Sequence, residues 1–127
     1  MRPIRVASRS QPASWMNRRY RLTNSSDFQR VRRTGTSFAH PLAVLIVSPG
    51  DVAETRFGFT AARSLGNAVR RNRAKRLLRE AARFFLADIR SGWDVVLIAR
   101  APILEVGFAD VRSAVGQLFR KSGLIDG

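Results

Sequence analysis

The chain has 127 residues, of which 45% are hydrophobic, with a formal net charge of +14 and no cysteine. This length and composition favour one globular domain with a single core, and the lack of cysteine excludes disulfide frameworks and thiolate metal sites. The charge favours a polyanionic partner, and the absence of a long apolar run predicts a cytoplasmic protein with no membrane span and no export signal.

Residues 1–18 are predicted to form a mobile basic arm ahead of a domain at 19–127. The arm contains prolines, serines and scattered arginines without an apolar period, and Trp15 is its largest apolar side chain. An alternative interpretation is that Trp15 docks on the body of the domain, which would order part of the arm.

Apolar periodicity and turn residues predict six elements in the order α-β-β-α-β-α. They are a helix at 22–33, strands at 41–47 and 55–61, a basic helix after Gly66, a strand at 93–99 and a closing helix from Phe108. The first two strands are close enough in sequence to be expected as an antiparallel hairpin. Helices covering one face of a small sheet give an α+β fold, here without internal repeats.

The basic helix is the most informative element of the sequence. Residues 63–83 include eight basic residues and a single acid, Glu80. At about 100° per residue, apolar and basic side chains separate onto opposite sides. The apolar side consists of Val69, Ala74, Leu77, Leu78, Ala81, Phe84 and Phe85. The opposite side consists of Arg71, Asn72, Lys75, Arg76, Arg79 and Arg83. One side therefore suits a protein core and the other suits a polyanion.

The start of this helix has positive charge where acids are usually favoured. Asn67 is expected to cap the helix through its side-chain oxygen, and Arg70, Arg71 and Arg73 follow in the first turns. A bound phosphate backbone would stabilise this arrangement, because the helix amides and the guanidinium groups would face one anion. The alternative is a solvated basic face neutralised by acids elsewhere, which nine acids against 23 basic residues disfavour.

Residues that could carry catalysis are scarce. His40 is the only histidine, and its position before Pro41 favours a structural role. The acids are scattered singly, without a pair spaced for a two-metal nuclease site, and no phosphate-binding or dinucleotide-binding glycine motif is present. The sequence therefore predicts a binding protein with no catalytic residue and no metal-binding residue of its own.

Residues 66–80, GNAVRRNRAKRLLRE, strongly resemble the protein subunit of bacterial ribonuclease P. Members of that family carry an Arg-Asn-Arg core preceded by Gly-Asn-Ala-Val and followed by Lys-Arg and Arg, and all of these positions are matched here. The flanks of the motif are similar as well, and the resemblance extends over residues 21–124. The matching flank positions are Arg21, Leu22, Asp27, Phe28, Gly35, Ile98, Ala99, Arg100, Pro102, Leu118, Phe119, Arg120 and Lys121.

The resemblance implies a small sheet with helices and a left-handed β-α-β crossover. It also implies an accessory subunit of the endoribonuclease that removes the 5′ leader of precursor tRNA, with chemistry carried by a catalytic RNA and Mg²⁺ bound mainly by that RNA. No membrane and no obligate protein partner are expected. The residues implied to contact the catalytic RNA are Arg63, Asn67, Arg70, Arg71, Asn72, Arg73, Lys75, Arg76 and Arg79. The residues implied to line a cleft for the leader are Phe28, Arg32, Ile46 and Thr60.

The expected leader cleft departs from the family pattern at two positions. Arg32 and Ile46 stand where members often have aromatic residues. Aromatic rings commonly grip single strands by stacking, so ring stacking is reduced here, although the guanidinium plane of Arg32 can also stack. Two other classes of function remain open. One is a stand-alone basic module, such as a ribosomal protein or a nucleic-acid chaperone, and the other is a self-sufficient nuclease.

Overall fold

The structure, a computed structural model, describes residues 21–22 and 25–127. Within these residues there are three α-helices and a four-stranded sheet. The elements are α1 (Ser25–Thr34), β1 (Thr36–His40), β2 (Ala43–Pro49), β3 (Arg56–Ala61), α2 (Ala68–Arg83), β4 (Trp93–Ala99) and α3 (Phe108–Ser122). The α+β class is therefore confirmed. The predicted arm at 1–18, including Trp15, lies outside the described residues, as does the start of the predicted domain at 19–20.

The order of strands in the sheet is β1-β2-β4-β3. The predicted hairpin between the strands at 41–47 and 55–61 is wrong, because β4 lies between β2 and β3. The hairpin instead joins β2 to β1, a strand missing from the sequence prediction. His40 ends β1, and its Nδ1 accepts a hydrogen bond of 3.1 Å from the amide of Leu42 in the hairpin turn. This bond supports the hairpin turn, as the predicted structural role of His40 requires.

The β-α-β connection implied by the family resemblance is present. β3 and β4 are parallel neighbours, with Phe57 opposite Val95 and Phe59 opposite Leu97. Parallel neighbours cannot be joined by a tight turn, and α2 forms the crossover between them. The left hand of this crossover stays a prediction from the resemblance. The crossover places the basic helix directly beside β3, which is the outer strand on that side of the sheet.

Helices lie on both faces of the sheet, so the prediction that they cover one face is wrong. Alternate side chains of a strand point to opposite faces. Leu45, Val47 and Leu97 belong to the core that the sheet forms with α2 and α3. Ile46 and Val96, next to them in the strands, belong to a separate small core under α1. The first helix is thus held on a different surface from the basic helix.

A buried ion cluster joins α1 to the sheet. Asp94 on β4 has no exposed surface, and its carboxylate accepts hydrogen bonds from Arg30 on α1 and from Arg56 on β3. These bonds raise the pKa of both arginines above the ordinary value, against a desolvation that lowers it. Oδ1 of Asp27 lies 3.5 Å from Nη2 of Arg30, and Oδ1 of Asp51 lies 3.3 Å from Nη2 of Arg56. One buried carboxylate therefore ties three elements together.

The apolar side of α2 is narrower than its period predicts. The buried residues of the helix are Ala74, Leu78, Ala81 and Ala82. Val69 and Phe84 are 77% and 62% exposed, so their assignment to the core side is wrong. The reason is that α2 contacts β3 and α3 mainly through alanines, whose small side chains allow a close approach along a narrow strip. Residues at the margins of the predicted stripe consequently remain in solvent.

Candidate nucleic-acid interface

The basic helix begins as the sequence predicts. Gly66 has a φ of 102°, a conformation that favours glycine, and it turns the chain out of a short 3₁₀ segment into α2. The side-chain oxygen of Asn67 accepts a hydrogen bond of 3.0 Å from the amide of Arg70, which confirms the predicted cap. The Nε of Arg70 donates back to the carbonyl of Leu65 at 2.8 Å. No acid lies in the first turn, so the helix N-terminus keeps its partial positive charge.

The basic side of α2 divides into exposed and half-buried groups. We name the exposed group the basic arc, and it consists of Asn72, Arg73, Arg76 and Arg83. Arg63, Asn67 and Arg70 are exposed as well and extend the same charge around the start of the helix. Arg71, Lys75 and Arg79 are half-buried, since they lie on the side of α2 that turns toward β3. The nine residues implied to bind the catalytic RNA thus lie on one helix and its entry turn.

Arg71 and Arg79 reach from α2 to β3. Nη2 of Arg71 donates to the carbonyl oxygen of Ala61 at 3.3 Å, and the guanidinium carbon of Arg79 lies 5.7 Å from the centroid of the Phe59 ring. Within the described part of the chain, the buried Nε groups of these two arginines have no hydrogen-bond partner. Buried donors are normally satisfied, and these two Nε groups would gain a phosphate oxygen as acceptor only if their side chains moved into solvent.

A cleft of about 260 Å³ opens at the outer edge of β3, and we name it the edge cleft. It is lined by Arg21, Leu22, Phe28, Phe57, Gly58, Phe59 and Arg79. The amide of Leu22 donates to the carbonyl of Phe57 at 2.9 Å, which fixes the chain before α1 along this edge. Aromatic rings and two arginines therefore line one opening, a combination that suits the bases and phosphates of a single strand.

The Phe28 ring depends on a glycine. A Cβ built at Gly58 would lie 2.5 Å from Cζ of Phe28, far inside any real contact, so the ring rests directly on the backbone of β3. Glycine inside a strand often marks such a close approach. Phe28 is half-buried, and it packs against the small core under α1 while also lining the edge cleft. Its position is thereby fixed before any ligand arrives.

The four residues implied to bind the leader differ in accessibility. Arg32 is exposed on α1, and Thr60 is half-buried on β3 opposite Ile98. Ile46 is only 6% exposed and packs with Val31 under α1, so its side chain is corrected from a leader contact to a packing residue. The alternation of β2 places Ile46 on the face that α1 covers, and sequence spacing alone did not show how completely the helix covers it.

Sequence reasoning did not assign Arg21, Gly58 or Phe59 to the site. Phe59 lines the edge cleft under Arg79. The sequence did offer one signal for the cleft, a glycine between two phenylalanines. Such a glycine predicts that another group lies close to the strand backbone on the opposite face of β3.

The described ranges contain no group of three or more acidic or histidine side chains that could hold a metal ion. In those same ranges, no helix has the length and hydropathy to span a membrane.

Fold and surface together define a small α+β protein built around a strongly basic crossover helix. The sequence model of the family described as Ribonuclease P matches residues 16–123. The chain therefore belongs to the ribonuclease P protein family. Proteins named "Ribonuclease P protein component" are similar over most of their length. That of Herpetosiphon aurantiacus is 42% identical over 109 residues, covering 86% of this chain and 89% of the relative. That of Symbiobacterium thermophilum is 43% identical over 111 residues, covering 87% and 96%.

Solved structures agree with this membership. The RNase P protein of Staphylococcus aureus superposes with a TM-score of 0.76 at 27% identity, covering 84% of this chain and 98% of the other. The RNase P protein of Thermotoga maritima gives a TM-score of 0.71 at 30% identity, with coverage of 84% and 98%. The α+β fold is therefore that of known ribonuclease P proteins.

Proposed function

We propose that this chain is the RNA-binding protein subunit of ribonuclease P and acts in the removal of the 5′ leader from precursor tRNA. In this proposal it binds the catalytic RNA through α2 and its entry turn, and binds the leader through the edge cleft. The observation that carries the proposal is the position of Arg79, which stands on the basic helix and also lines the edge cleft. Both RNA segments would thus meet at one part of the protein.

Contacts to the catalytic RNA are proposed to be mainly contacts to phosphate. The residues are Arg63, Asn67, Arg70, Arg71, Asn72, Arg73, Lys75, Arg76 and Arg79. Guanidinium groups suit phosphate because their planar donors can make two parallel hydrogen bonds. The capped N-terminus of α2 adds free amides and a partial positive charge beside these side chains. The exposure of Arg63, Arg70, Arg73 and Arg76 supports this assignment, since a phosphate can reach these side chains from solvent.

The leader is proposed to lie across the edge cleft, where bases stack on Phe28. Arg32 and Thr60 would contact the backbone or a neighbouring base, and Ile46 would support α1 from beneath. Base stacking on an aromatic ring tolerates any sequence, because every base has a π-face. A platform of this kind suits leaders that vary from one precursor to the next.

The hydrolytic step is assigned to the catalytic RNA and the Mg²⁺ that it holds. The side chains described here offer cations, rings and amides, which position RNA and neutralise its charge. Asp94, the one buried carboxylate in the described ranges, already accepts from Arg30 and Arg56 and is committed to the fold. We further propose that the protein acts in the cytoplasm, without a membrane or an obligate protein partner.

A reconstitution assay tests the function directly. Precursor tRNA is incubated with protein alone, with the catalytic RNA of ribonuclease P alone, and with both, at a limiting Mg²⁺ concentration. Efficient cleavage is expected only in the complete mixture, because the protein is needed to bind leader-bearing substrate when Mg²⁺ is scarce. Turnover by repurified protein alone would identify a nuclease. An RNA reaction that the protein leaves unchanged would favour the stand-alone basic module.

A further inference from the structure

Phe84 is a large apolar residue that the core does not use. It caps the C-terminal end of α2 and is 62% exposed, and its ring contacts two residues of α3. The guanidinium carbon of Arg112 lies 4.5 Å from the centroid of the ring, and the Phe108 ring is tilted by 52° at a centroid distance of 6.3 Å. One face of Phe84 is therefore covered by a cation, and most of the remaining surface of the residue faces solvent.

The ring also continues the basic arc. Phe84 is eleven residues beyond Arg73, which is almost a whole number of turns, so both lie on nearly the same line along α2, about 16 Å apart. Arg83 precedes the ring and belongs to the basic arc. Glu80, one turn before Phe84, lies 3.6 Å from Arg83 and is thereby partly neutralised. The same pairing reduces the charge of Arg83, so the positive charge beside the ring comes mainly from Arg112.

We infer that Phe84 and Arg112 form a stacking platform for an unpaired base of the catalytic RNA, at the end of α2 remote from Asn67. This inference rests on the proposed function and extends it to α3. A nucleotide is the ligand that offers a flat π-face and an anion together, and the platform offers a ring and a guanidinium together. A second copy of this chain fits less well, because it would bring another +14 of charge to a cationic surface.

The geometry favours a base over a phosphate as the direct contact of the ring. The last carbonyls of α2 give its C-terminus a partial negative charge, which disfavours an anion placed on the helix axis. The cation of Arg112 lies to one side, over the ring, where it can pair with the phosphate of a nucleotide stacked on the opposite face.

The test measures affinity for the catalytic RNA across a series of salt concentrations. Phe84→Ala is expected to weaken binding about tenfold without changing the slope of log affinity against log salt, because stacking releases no counterion. Arg112→Ala should weaken binding and also flatten the slope by about 0.7 to 0.9, as the loss of one phosphate contact requires. Phe84→Trp should bind with the affinity of wild type because it keeps an aromatic face, whereas Phe84→Leu should bind as weakly as Phe84→Ala.

Val52→Ala provides a control, since Val52 is an exposed apolar residue that lies outside α2 and its entry turn. It should bind as wild type does. Thermal melts of each variant report folding, and the melting temperature should change little because none of the substituted side chains is buried. Binding by Phe84→Ala equal to wild type would overturn the platform while leaving the proposed function intact. Failure of the wild type itself to bind the RNA would overturn both. A protein dimer that Phe84→Ala dissociates in sedimentation experiments would replace the platform with a self-association site.

Discussion

The two faces of the sheet hold their helices by different interactions. Among the described residues, twenty-four buried apolar residues form the core with α2 and α3, whereas four form the core under α1. The smaller face is reinforced by Asp94, whose carboxylate joins Arg30 and Arg56. α2 is thus fixed by apolar burial, which leaves its exposed side free to bind RNA. The position of α1, and of the Phe28 ring that it carries, depends on a smaller apolar core together with these charged groups.

The largest effect on stability is expected from the ion cluster. Asp94→Ala should lower the free energy of unfolding by about 3 kcal/mol, because it leaves two arginines beside a buried site without their carboxylate. The loss of stability should be greatest in α1. Urea denaturation gives the total, and hydrogen exchange of the amides of α1 compared with α2 shows where the structure opens. Equal loss of protection in both helices would contradict the difference between the two faces.

Asp51→Ala is the matched control for this variant. Asp51 also lies within ion-pair distance of Arg56, but its side chain is 85% exposed, so its removal should change stability by no more than about 0.5 kcal/mol.

The ion cluster also determines how the stability of the fold depends on pH. A raised arginine pKa stabilises the fold at every pH below the ordinary arginine value, and this contribution is lost only as pH rises through the raised values. Arg30 and Arg56 therefore add no titration to the neutral range.

The second prediction concerns the ring that α1 presents to the edge cleft. Phe28→Ala should weaken binding of precursor tRNA to the reconstituted holoenzyme by about 1 to 3 kcal/mol, the range for a lost base–aromatic stack. Mature tRNA has no leader and should bind as before. Arg32→Ala should also act only on leader-bearing substrate, with a larger effect at low salt because its charge is exposed.

Gly58→Ala tests the same ring without removing it. The added Cβ would meet Phe28 at 2.5 Å, so the ring must move away from β3 and the leader should bind more weakly. Thermal melts of each variant separate this effect from a loss of folding. If Phe28→Ala weakens precursor and mature tRNA equally, or lowers the melting temperature sharply, Phe28 acts as part of the small core under α1.

Local features of the fold were predictable from the sequence, and long-range features were not. The cap at Asn67 and the strand at Trp93–Ala99 depend on neighbouring residues, and both predictions are confirmed. β1 was missed because it is a short outer strand in which only Phe38 and His40 are partly buried. The parallel pairing of β3 with β4 spans the whole of α2, and no local pattern reports which strands become neighbours.

The same distinction holds for the site. Three residues of the basic arc, Asn72, Arg76 and Arg83, follow from the helical period, which needs no knowledge of the rest of the fold. The contact between Arg79 and Phe59 requires α2 to lie beside the outer edge of β3, and only the crossover brings them together. The exposure of Phe84 likewise depends on how narrowly α2 meets α3, which its own sequence does not show.

The third prediction tests whether α2 tolerates loss of its charges. Arg73→Ala combined with Arg76→Ala should weaken binding to the catalytic RNA and flatten the salt slope by about 1.4 to 1.8, the value for two phosphate contacts. Stability should change by about 0.5 kcal/mol or less, since both side chains are exposed. Arg71→Ala is the comparison variant, because it also removes the hydrogen bond to Ala61 and should cost stability as well as affinity. An unchanged salt slope in the double variant would locate the RNA contact on another surface.

The smallest effect is expected at the N-terminus of α2, where stability and binding can be separated at one residue. Asn67→Ala removes the cap and should lower the free energy of unfolding by about 1 kcal/mol, as cap loss generally does. Asn67→Asp keeps an oxygen for the Arg70 amide and adds a negative charge that the helix dipole favours, so its melting temperature should equal or exceed that of wild type. The same charge would repel a phosphate, so Asn67→Asp should bind the catalytic RNA more weakly than Asn67→Ala despite being more stable. Equal affinity of the two variants would show that no phosphate approaches this end of the helix.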